Sequence, residues 1–383
     1  MIVTKLRAAS TALLLGMAVI AAGGILTATP ADAAVRKAVG QPLQEAIAAV
    51  KAGSCQTAMA KIHQAEAVGG LSAEEQKILT QTKQYAEVTF QGQCGVSSGQ
   101  GAQAKFDSDY RAGRFRDAIA DEDLLRKFGA LNGTNMIVIA QAYYRSGDYR
   151  GCVRYANSHT GAGGDMLDLA LRCAYETHDQ DLMRDAAQNL VEAQGTPKNW
   201  TQVINLAEGA KQLSDPQTRD LYRLSYLTGA MVKPDDYMTL AQLLLAARLP
   251  SEARAVVEKG MQLKLLVDAR AQRLYALTKQ QQAADVGNIG RRAAEAQKAP
   301  KGDELVLLGE DYIGMGRFAD AISAIQAGIA KGVNDSDNAQ IRLAVALYGN
   351  KQKPQALSAL AKATSTPNGA MVAKLWTIYI RQH

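Results

Sequence analysis

The sequence lacks the features that mark several protein classes. Its 383 residues contain no run of lysine or arginine longer than Arg291-Arg292, which argues against nucleic-acid binding. Only 5% of the residues are aromatic, and no stretch of five or more alternates apolar and polar residues between hairpin turns, so β-strands are not expected. Neither a glycine-rich phosphate-binding loop nor a His-Glu-x-x-His zinc motif occurs. We therefore expect no cofactor and no metal.

One string resembles a catalytic motif. Gly95-Val-Ser97-Ser-Gly99 matches the Gly-x-Ser-x-Gly pattern of hydrolases. That pattern works only where a strand leads into a strained turn and a helix leads out of it. Here a cysteine and a polar linker surround the serine, so we expect no enzymatic activity. An enzyme domain hidden at 165–230 or 265–298 is a separate alternative, although neither segment offers a triad or a metal set.

The N-terminus has the pattern of a Sec-type signal peptide. Lys5 and Arg7 precede an apolar stretch from Ala12 to Ala28, and Ala31-Asp32-Ala33 is a small-x-small cleavage site. We expect cleavage after Ala33, a periplasmic mature protein, and no stable membrane insertion after cleavage. An uncleaved membrane anchor is the alternative, since the apolar run is long for a signal core.

Four cysteines are an even number in a chain predicted to be exported, where disulfides form. Cys55 and Cys94 flank one predicted helix pair, and Cys152 and Cys173 belong to neighbouring predicted helices. We predict the disulfides Cys55–Cys94 and Cys152–Cys173; four free buried thiols are the alternative.

The most informative feature is a spacing near 34 residues, which is typical of a stacked array of helix pairs. Two copies are nearly complete: Leu308-Gly309, Tyr312, Gly316, Phe318, Ala321; and Ile139-Ala140, Tyr143, Gly147, Tyr149, Cys152. Partial copies lie at 46–58, 113–118, 240–253 and 343–356. The small residues let two helices approach closely, and the glycine ends the first helix with a positive φ.

Some segments depart from this pattern or extend it. Arg248 and Lys351 replace the turn glycine, so irregular turns are expected there. Ser72 and Glu75 predict a capping box, and Asp215-Pro216 predicts a helix that begins with Asp215 as cap. Polar helices are expected from Asp268 to Ala296, interrupted at Gly287 or Gly290, and a capping helix from Ala370 to Ile380.

These residues resemble the tetratricopeptide repeat (TPR) family, including exported bacterial TPR-containing proteins. The resemblance implies an all-α fold, a TPR-like right-handed α-solenoid of stacked helix hairpins with a concave groove lined by the first helix of each pair. It also implies that the groove holds a peptide of a partner. Carried over by position, the groove-binding candidates are Gln141, Tyr144, Arg145, Met238, Gln242, Leu245, Glu310 and Ile313.

The pattern divides the chain into five segments. They are the signal peptide at 1–33, an N-terminal helical repeat region at 34–98, TPR-like repeats at 99–195, a divergent helical repeat at 196–233, and C-terminal TPR-like repeats with a capping helix at 234–383. The leading hypothesis is a periplasmic scaffold or adaptor that binds other cell-envelope proteins or peptides without catalysis. The alternatives are a self-associating structural repeat protein, hence a homo-oligomer, and a binder of small solutes.

Overall fold

The computed structural model describes residues 35–90 and 98–383. Every regular element in these ranges is a helix, which confirms the all-α repeat fold. The predicted signal peptide, Cys94 and Ser97 lie outside the described residues. No described helix is long and apolar enough to cross a membrane. Intramolecular contacts separate the described residues into two compact units, one of residues 35–90 and one from Ser98 to His383.

The first unit packs three helices around one apolar core: α1 Lys37–Lys51, α2 Cys55–Glu66 and α3 Ala73–Thr89. The predicted capping box at the start of α3 is confirmed, because Glu75 N–H donates to Ser72 Oγ and Ser72 N–H donates to the Glu75 carboxylate. Glu75 also accepts from the Arg36 guanidinium and fastens the start of α1 to α3. Cys55 is disulfide-bonded, as predicted, but its predicted partner is not among the described residues.

The second unit is a chain of helix hairpins in which successive helices pack against one another. Its helices are α4 Gly99–Arg111, α5 Phe115–Ala120, α6 Glu122–Lys127, α7 Gly133–Arg145, α8 Tyr149–Ser158, α9 Gly164–Glu176, α10 Gln180–Ala193, α11 Pro197–Glu208, α12 Asp215–Leu227, α13 Pro234–Ala246, α14 Pro250–Gln262, α15 Ala269–Lys298, α16 Asp303–Gly314, α17 Phe318–Lys331, α18 Ser336–Gly349, α19 Lys353–Leu360 and α20 Pro367–Gln382. The short 3-10 helix Thr160–Ala162 precedes α9.

The turns inside the hairpins share one backbone conformation. Gly113, Gly147 and Gly316 have φ values of 74°, 80° and 73°, as the spacing predicts. The prediction of irregular turns at Arg248 and Lys351 is wrong. Both residues adopt the same left-handed conformation, with φ of 59° and 61°. The hairpin geometry therefore continues where the glycine is lost, and each such side chain accepts a strain of about 1 kcal/mol.

Two hairpins with weak sequence patterns follow the same rule. His178 ends α9 with φ of 55°, and Gln212 lies between α11 and α12 with φ of 60°. Asp179 then caps α10 by accepting from the backbone N–H of Asp181 and Leu182. The turn residues from 113 to 248 are thus spaced by 31 to 36 residues, which extends the repeat through the segment where the sequence pattern is faint.

Close approach within hairpins is visible at the predicted small residues. Ala140, Cys152 and Ala321 have no exposed surface. A Cβ added to Gly309 would meet the carbonyl oxygen of Ala321 at 3.1 Å and would overlap the side chain of Ile325. The glycine therefore brings α16 and α17 together as the spacing predicts. The disulfide Cys152–Cys173 is also present and joins α8 to α9, with its Cα atoms 6.1 Å apart.

One hairpin is replaced by a single long helix. The expected interruption at Gly287 or Gly290 is wrong, because α15 continues for 30 residues. The flanking turn residues, 248 and 316, are 68 apart, twice the repeat, so the missing turn would fall near residue 282. There Gln282 Oε1 instead accepts from Arg254 of α14 at 2.7 Å, while the far half of α15 packs on α16 through Ile289, Ala293 and Ala296. Contacts hold both halves, so the helix continues through its two glycines.

A carboxylate pair lies where α15 meets α16. Arg292 donates to Asp311 Oδ2 at 2.6 Å and also pairs with Asp285. Asp311 is fully buried, and its second oxygen has no hydrogen-bond partner within the described part of the chain. Burial, followed by the nearby Asp285 carboxyl, raises the pKa of Asp311 to about 7 against the opposing effect of Arg292.

The C-terminal helix closes the second half of this unit. α20 packs on α18 and α19, the position of a cap, and it also contacts α10 and α12. Gln382 donates to the carbonyl oxygen of Val191 at 2.6 Å, and Arg381 pairs with Glu192 at 3.2 Å. The last helix, α20, therefore packs against α10 and α12, so the helices from α10 to α20 close on themselves. The prediction of an open concave surface on the C-terminal repeats is wrong.

The start of α12 differs by one residue from the prediction. Ser214, not Asp215, is the cap, and it forms a capping box with Gln217. Asp215 and Pro216 occupy the first turn, where the missing proline N–H costs no hydrogen bond.

Candidate functional site

A cavity of about 810 Å³ lies along the first helices of three successive hairpins, α7, α9 and α11. It is open to solvent, and the side chains that line it come from residues spaced by about one helical turn on each helix. The lining residues are Ile137, Gln141, Tyr144, Arg145, Asp165, Asp168, Leu169, Leu171, Arg172, Tyr175, Lys198 and Gln202. All of these residues belong to first helices, which is the arrangement that the family resemblance implies.

The charged side chains of this cavity are unpaired. Arg145, Asp165, Asp168, Arg172 and Lys198 are all exposed, and none forms an ion pair or a side-chain hydrogen bond with another described residue. Elsewhere in the same unit, charged side chains regularly pair, as Arg150 does with Asp179 at 2.8 Å. The cavity therefore offers three cations and two anions whose interactions are left to solvent or to a ligand.

Tyrosines form one end of the cavity. The Tyr144 hydroxyl donates to Glu176 at 3.1 Å across α7 and α9, and this hydrogen bond raises the pKa of Tyr144. The Tyr144 ring also packs on Tyr149, with centroids 5.5 Å apart. Tyr175 is 43% exposed beside them. Rigid, amphipathic tyrosines of this kind supply contact area at low entropic cost.

The cavity brings together three of the eight groove candidates, Gln141, Tyr144 and Arg145. Gln141 is exposed, and its side-chain oxygen accepts from the Tyr110 hydroxyl at 3.2 Å. Gln242 is exposed on α13, whereas Met238 on the same helix is 5% exposed and belongs to the apolar core. Leu245 is half-buried beside a smaller recess of about 270 Å³ next to α15.

The last two candidates lie on α16, in a different environment. Ile313 is half-buried against the apolar core there. Glu310 occupies the same repeat position as Gln141, one residue after the small residue, yet it is only 3% exposed. Its carboxylate accepts from Arg223 of α12 at 2.7 Å. This first-helix surface is therefore covered by the chain's own α12, and Glu310 has a structural role in this conformation.

A buried cluster of charges joins these surfaces. Arg223 forms a bidentate pair with Glu252 of α14 at 2.6 and 2.7 Å, and Arg342 of α18 pairs with Asp220 of α12. Arg219 lies 3.8 Å from Glu310. Three arginines face three carboxylates, so the cluster is neutral when all six are ionised. Such pairs are costly to bury and strongly destabilising when one member is removed.

Burial changes the pKa values of carboxyl groups in this cluster. Desolvation raises the pKa of Asp220 above its usual value despite Arg342 and Arg223. Burial opposes ionisation of Glu310 too, but Arg223, Arg342 and Arg219 together hold the pKa of Glu310 below its usual value. The second helices α12 and α14 therefore occupy the first-helix face of α16 and α18 through complementary charge.

Six polar or charged lining residues were missed by the sequence analysis: Asp165, Asp168, Arg172, Tyr175, Lys198 and Gln202. The hairpin that carries the first four has His178 where glycine ends its first helix, so its repeat pattern was faint. A usable indication was present, because positions 165, 168, 172 and 175 are spaced by three and four and share one helix face.

The residues in and beside the rejected catalytic and metal motifs make local structural contacts. Ser98, next to the serine of the hydrolase-like string, caps α4 by accepting from the Gly101 N–H. His63 lies beside Glu66 at 3.0 Å, and His159 stacks on Tyr155. Within residues 35–90 and 98–383, no group of three or more His, Cys, Asp or Glu is arranged to hold a metal ion.

No family model and no curated protein matches the chain. Among solved structures it is similar to a tetratricopeptide repeat protein from Parabacteroides merdae, at 11% identity over 73% of this chain and 98% of that one, with a TM-score of 0.25. It is also similar to the TPR2AB domain of yeast Sti1 in a complex with pHSP90, at 16% identity over 74% and 98%, with a TM-score of 0.24. The P58(IPK) TPR domain matches at 10% identity over 90% and 80%, with a TM-score of 0.24. TM-scores this low do not support a conclusion about the fold, so the repeat fold is inferred from the hairpin geometry described above.

Proposed function

We propose that this protein is a non-catalytic adaptor of the periplasm that binds a segment of another cell-envelope protein in the cavity between α7, α9 and α11. The observation that carries the proposal is the set of five exposed, unpaired charges beside exposed tyrosine on first helices of consecutive hairpins. TPR-like helix hairpins commonly mediate protein–protein interactions, and the equivalent face of α16 already holds a helix within this chain.

Two observations support export. The sequence begins with the pattern of a cleavable signal peptide. The Cys152–Cys173 disulfide joins α8 to α9, next to the cavity, and structural disulfides persist in oxidising compartments. The disulfide therefore favours a location outside the cytoplasm and also links α9, which presents Asp165, Asp168 and Arg172, to the preceding hairpin.

Site-specific photo-crosslinking in producing cells tests this proposal. A photoreactive amino acid is placed at Gln141 or Tyr175 in the cavity. Tyr85 in the first unit is the matched control, because it is an aromatic residue with a similar exposure, 41% against 43%. Adducts from isolated envelopes are identified by mass spectrometry and re-tested with the tagged partner. Export is checked separately by the N-terminus of the mature protein, expected at Ala34.

The expected result is one identified envelope protein crosslinked from both cavity positions and absent from position 85. Arg172→Glu on the same background should reduce that adduct, since the arginine lines the cavity, is exposed and forms no hydrogen bond or ion pair with another described residue. Adducts that are equal at positions 175 and 85, or none from either cavity position, would contradict the proposal. Saturable binding of a small solute with no protein adduct would favour the solute-binding alternative instead.

A further inference from the structure

The unpaired charges of the α7, α9 and α11 cavity are sorted along the helices. On α9, Asp165 and Asp168 lie in the first turns, whereas Arg172 lies one turn after Asp168. Arg145 lies at the same end as Arg172, because the adjacent Tyr144 is hydrogen-bonded to Glu176 near the end of α9. One end of the cavity is therefore acidic and the other is basic.

Two further charges at the cavity do not cancel this order. Glu176 lies at the basic end, but its carboxylate accepts the Tyr144 hydroxyl, and two arginines outnumber it. Lys198, in the first turn of α11, faces the acidic end from the neighbouring hairpin without pairing with either aspartate. The acidic end keeps two carboxylates against one ammonium group.

The distance between the acidic and basic ends determines the spacing of the charged side chains in a matching ligand. Asp168 and Arg172 are four residues apart on one helix, which is about 6 Å along its axis at about 1.5 Å per residue. Two residues of an extended chain span about 6.6 Å, and residues two apart project to the same side. An extended segment that runs along α9 therefore meets both ends of the cavity with residues at positions i and i+2.

We infer that the occupant of this cavity is an extended polypeptide segment with a basic and an acidic side chain two residues apart. The basic side chain pairs with Asp165 and Asp168, and the acidic one with Arg145 and Arg172, while Tyr175 packs against the segment at the basic end. This inference rests on the proposed function and names the chemistry of the partner. Charge order of this kind contributes more to specificity and orientation than to affinity.

The same molecule contains an internal example of this recognition. On α16, Glu310 lies at the repeat position of Gln141 and holds Arg223 of another helix at 2.7 Å. A first-helix surface of this chain thus selects a segment by pairing its charges with opposite charges. In the open cavity the corresponding pairs are missing and the charges are exposed.

Selection from a random peptide library displayed on phage, against the purified mature protein, tests the inference. Three forms of the protein are compared: wild type, R145E/R172E and D165K/D168K. The control is K259E/K374E, which makes the same change in net charge as R145E/R172E at exposed lysines that do not line the cavity. Circular dichroism and the melting temperature of each variant show that it is folded.

Wild type and K259E/K374E should both enrich peptides with opposite charges at i and i+2. R145E/R172E should enrich peptides with two basic residues at that spacing, and D165K/D168K peptides with two acidic ones. Peptides selected on wild type should bind R145E/R172E about ten-fold or more weakly. Enrichment of peptides with one and the same charge pattern on all four proteins would overturn the charge order and leave the proposed function standing. No enrichment on wild type would overturn both.

Discussion

Removal of Arg223 from the buried charge cluster is the sharpest test of how α12 is held against α16. Its guanidinium contacts Glu252 at 2.6 and 2.7 Å, Glu310 at 2.7 Å and Asp220 at 3.2 Å, and the side chain is 6% exposed. In the variant R223M, Glu310 and Asp220 stay buried with less positive charge around them. Breaking a buried pair in this way costs about 3–5 kcal/mol.

Urea unfolding followed by tryptophan fluorescence measures this cost where it arises. The sequence has two tryptophans, Trp200 and Trp376, and both are buried in the second unit. Trp376 also lies 6.0 Å from the guanidinium carbon of Arg342, another member of the cluster. The expected loss corresponds to a fall in melting temperature of roughly 6–15 °C for a unit of this size.

Two further variants make the test decisive. R291A removes an exposed pair with Glu295 and should cost less than about 1 kcal/mol. The double variant R223M/E310M restores charge neutrality, so its cost should fall short of the sum of the two single variants by about 1–3 kcal/mol. If R223M costs no more than R291A, or if the two single effects simply add, the cluster does not hold these helices together.

Three other predictions concern stability. K351G should stabilise the protein by about 1 kcal/mol in urea unfolding, because glycine relieves the strain of the left-handed conformation at φ of 61°. G316K should have the opposite effect. A loss of stability in K351G would contradict the prediction. The double variant C152A/C173A should cost about 3 kcal/mol, and the wild-type protein should yield these two thiols to alkylation only after reduction; free thiols before reduction would refute the disulfide. The pKa of Asp311 is raised to about 7 in the folded protein, so the stability that it contributes is complete below about pH 4 and is lost as pH rises to 7. D311N should therefore reduce the fall in stability between about pH 4 and pH 7 by about 2 kcal/mol, after allowance for solvent screening. An unchanged slope in equilibrium unfolding would contradict the shift.

The sequence predicted the hairpins well wherever their residues act locally. Gly147 and Gly316 take positive φ because a helix must end there, and Ala140 and Ala321 are buried because two backbones meet. The pattern failed at His178 and Gln212, because these residues adopt the left-handed turn conformation without being glycine. A pattern that depends on the turn glycine cannot recognise such a hairpin.

Long-range closure could not be predicted from the repeat. The continuous helix α15 depends on contacts with α14 and α16 that outweigh its two interior glycines. Removing one turn brings Arg223 and Glu310, which are 87 residues apart, into a pair. The repeat pattern places Glu310 in an open groove, because the pattern describes only contacts between neighbouring hairpins. It contains no information on contacts between hairpins that are far apart in the sequence. Gln141, Tyr144 and Arg145, whose neighbours are sequential hairpins, line the open cavity as predicted.

Hydrogen–deuterium exchange with a peptide selected on the wild-type protein tests the central claim most directly. That claim is that the first-helix surface of α7, α9 and α11 is free to bind, whereas the corresponding surface of α16 and α18 is already occupied. The account predicts that the peptide slows exchange in 133–145, 164–176 and 197–208 and leaves 303–314 and 336–349 unchanged. Protection confined to 303–314 and 336–349 would contradict it.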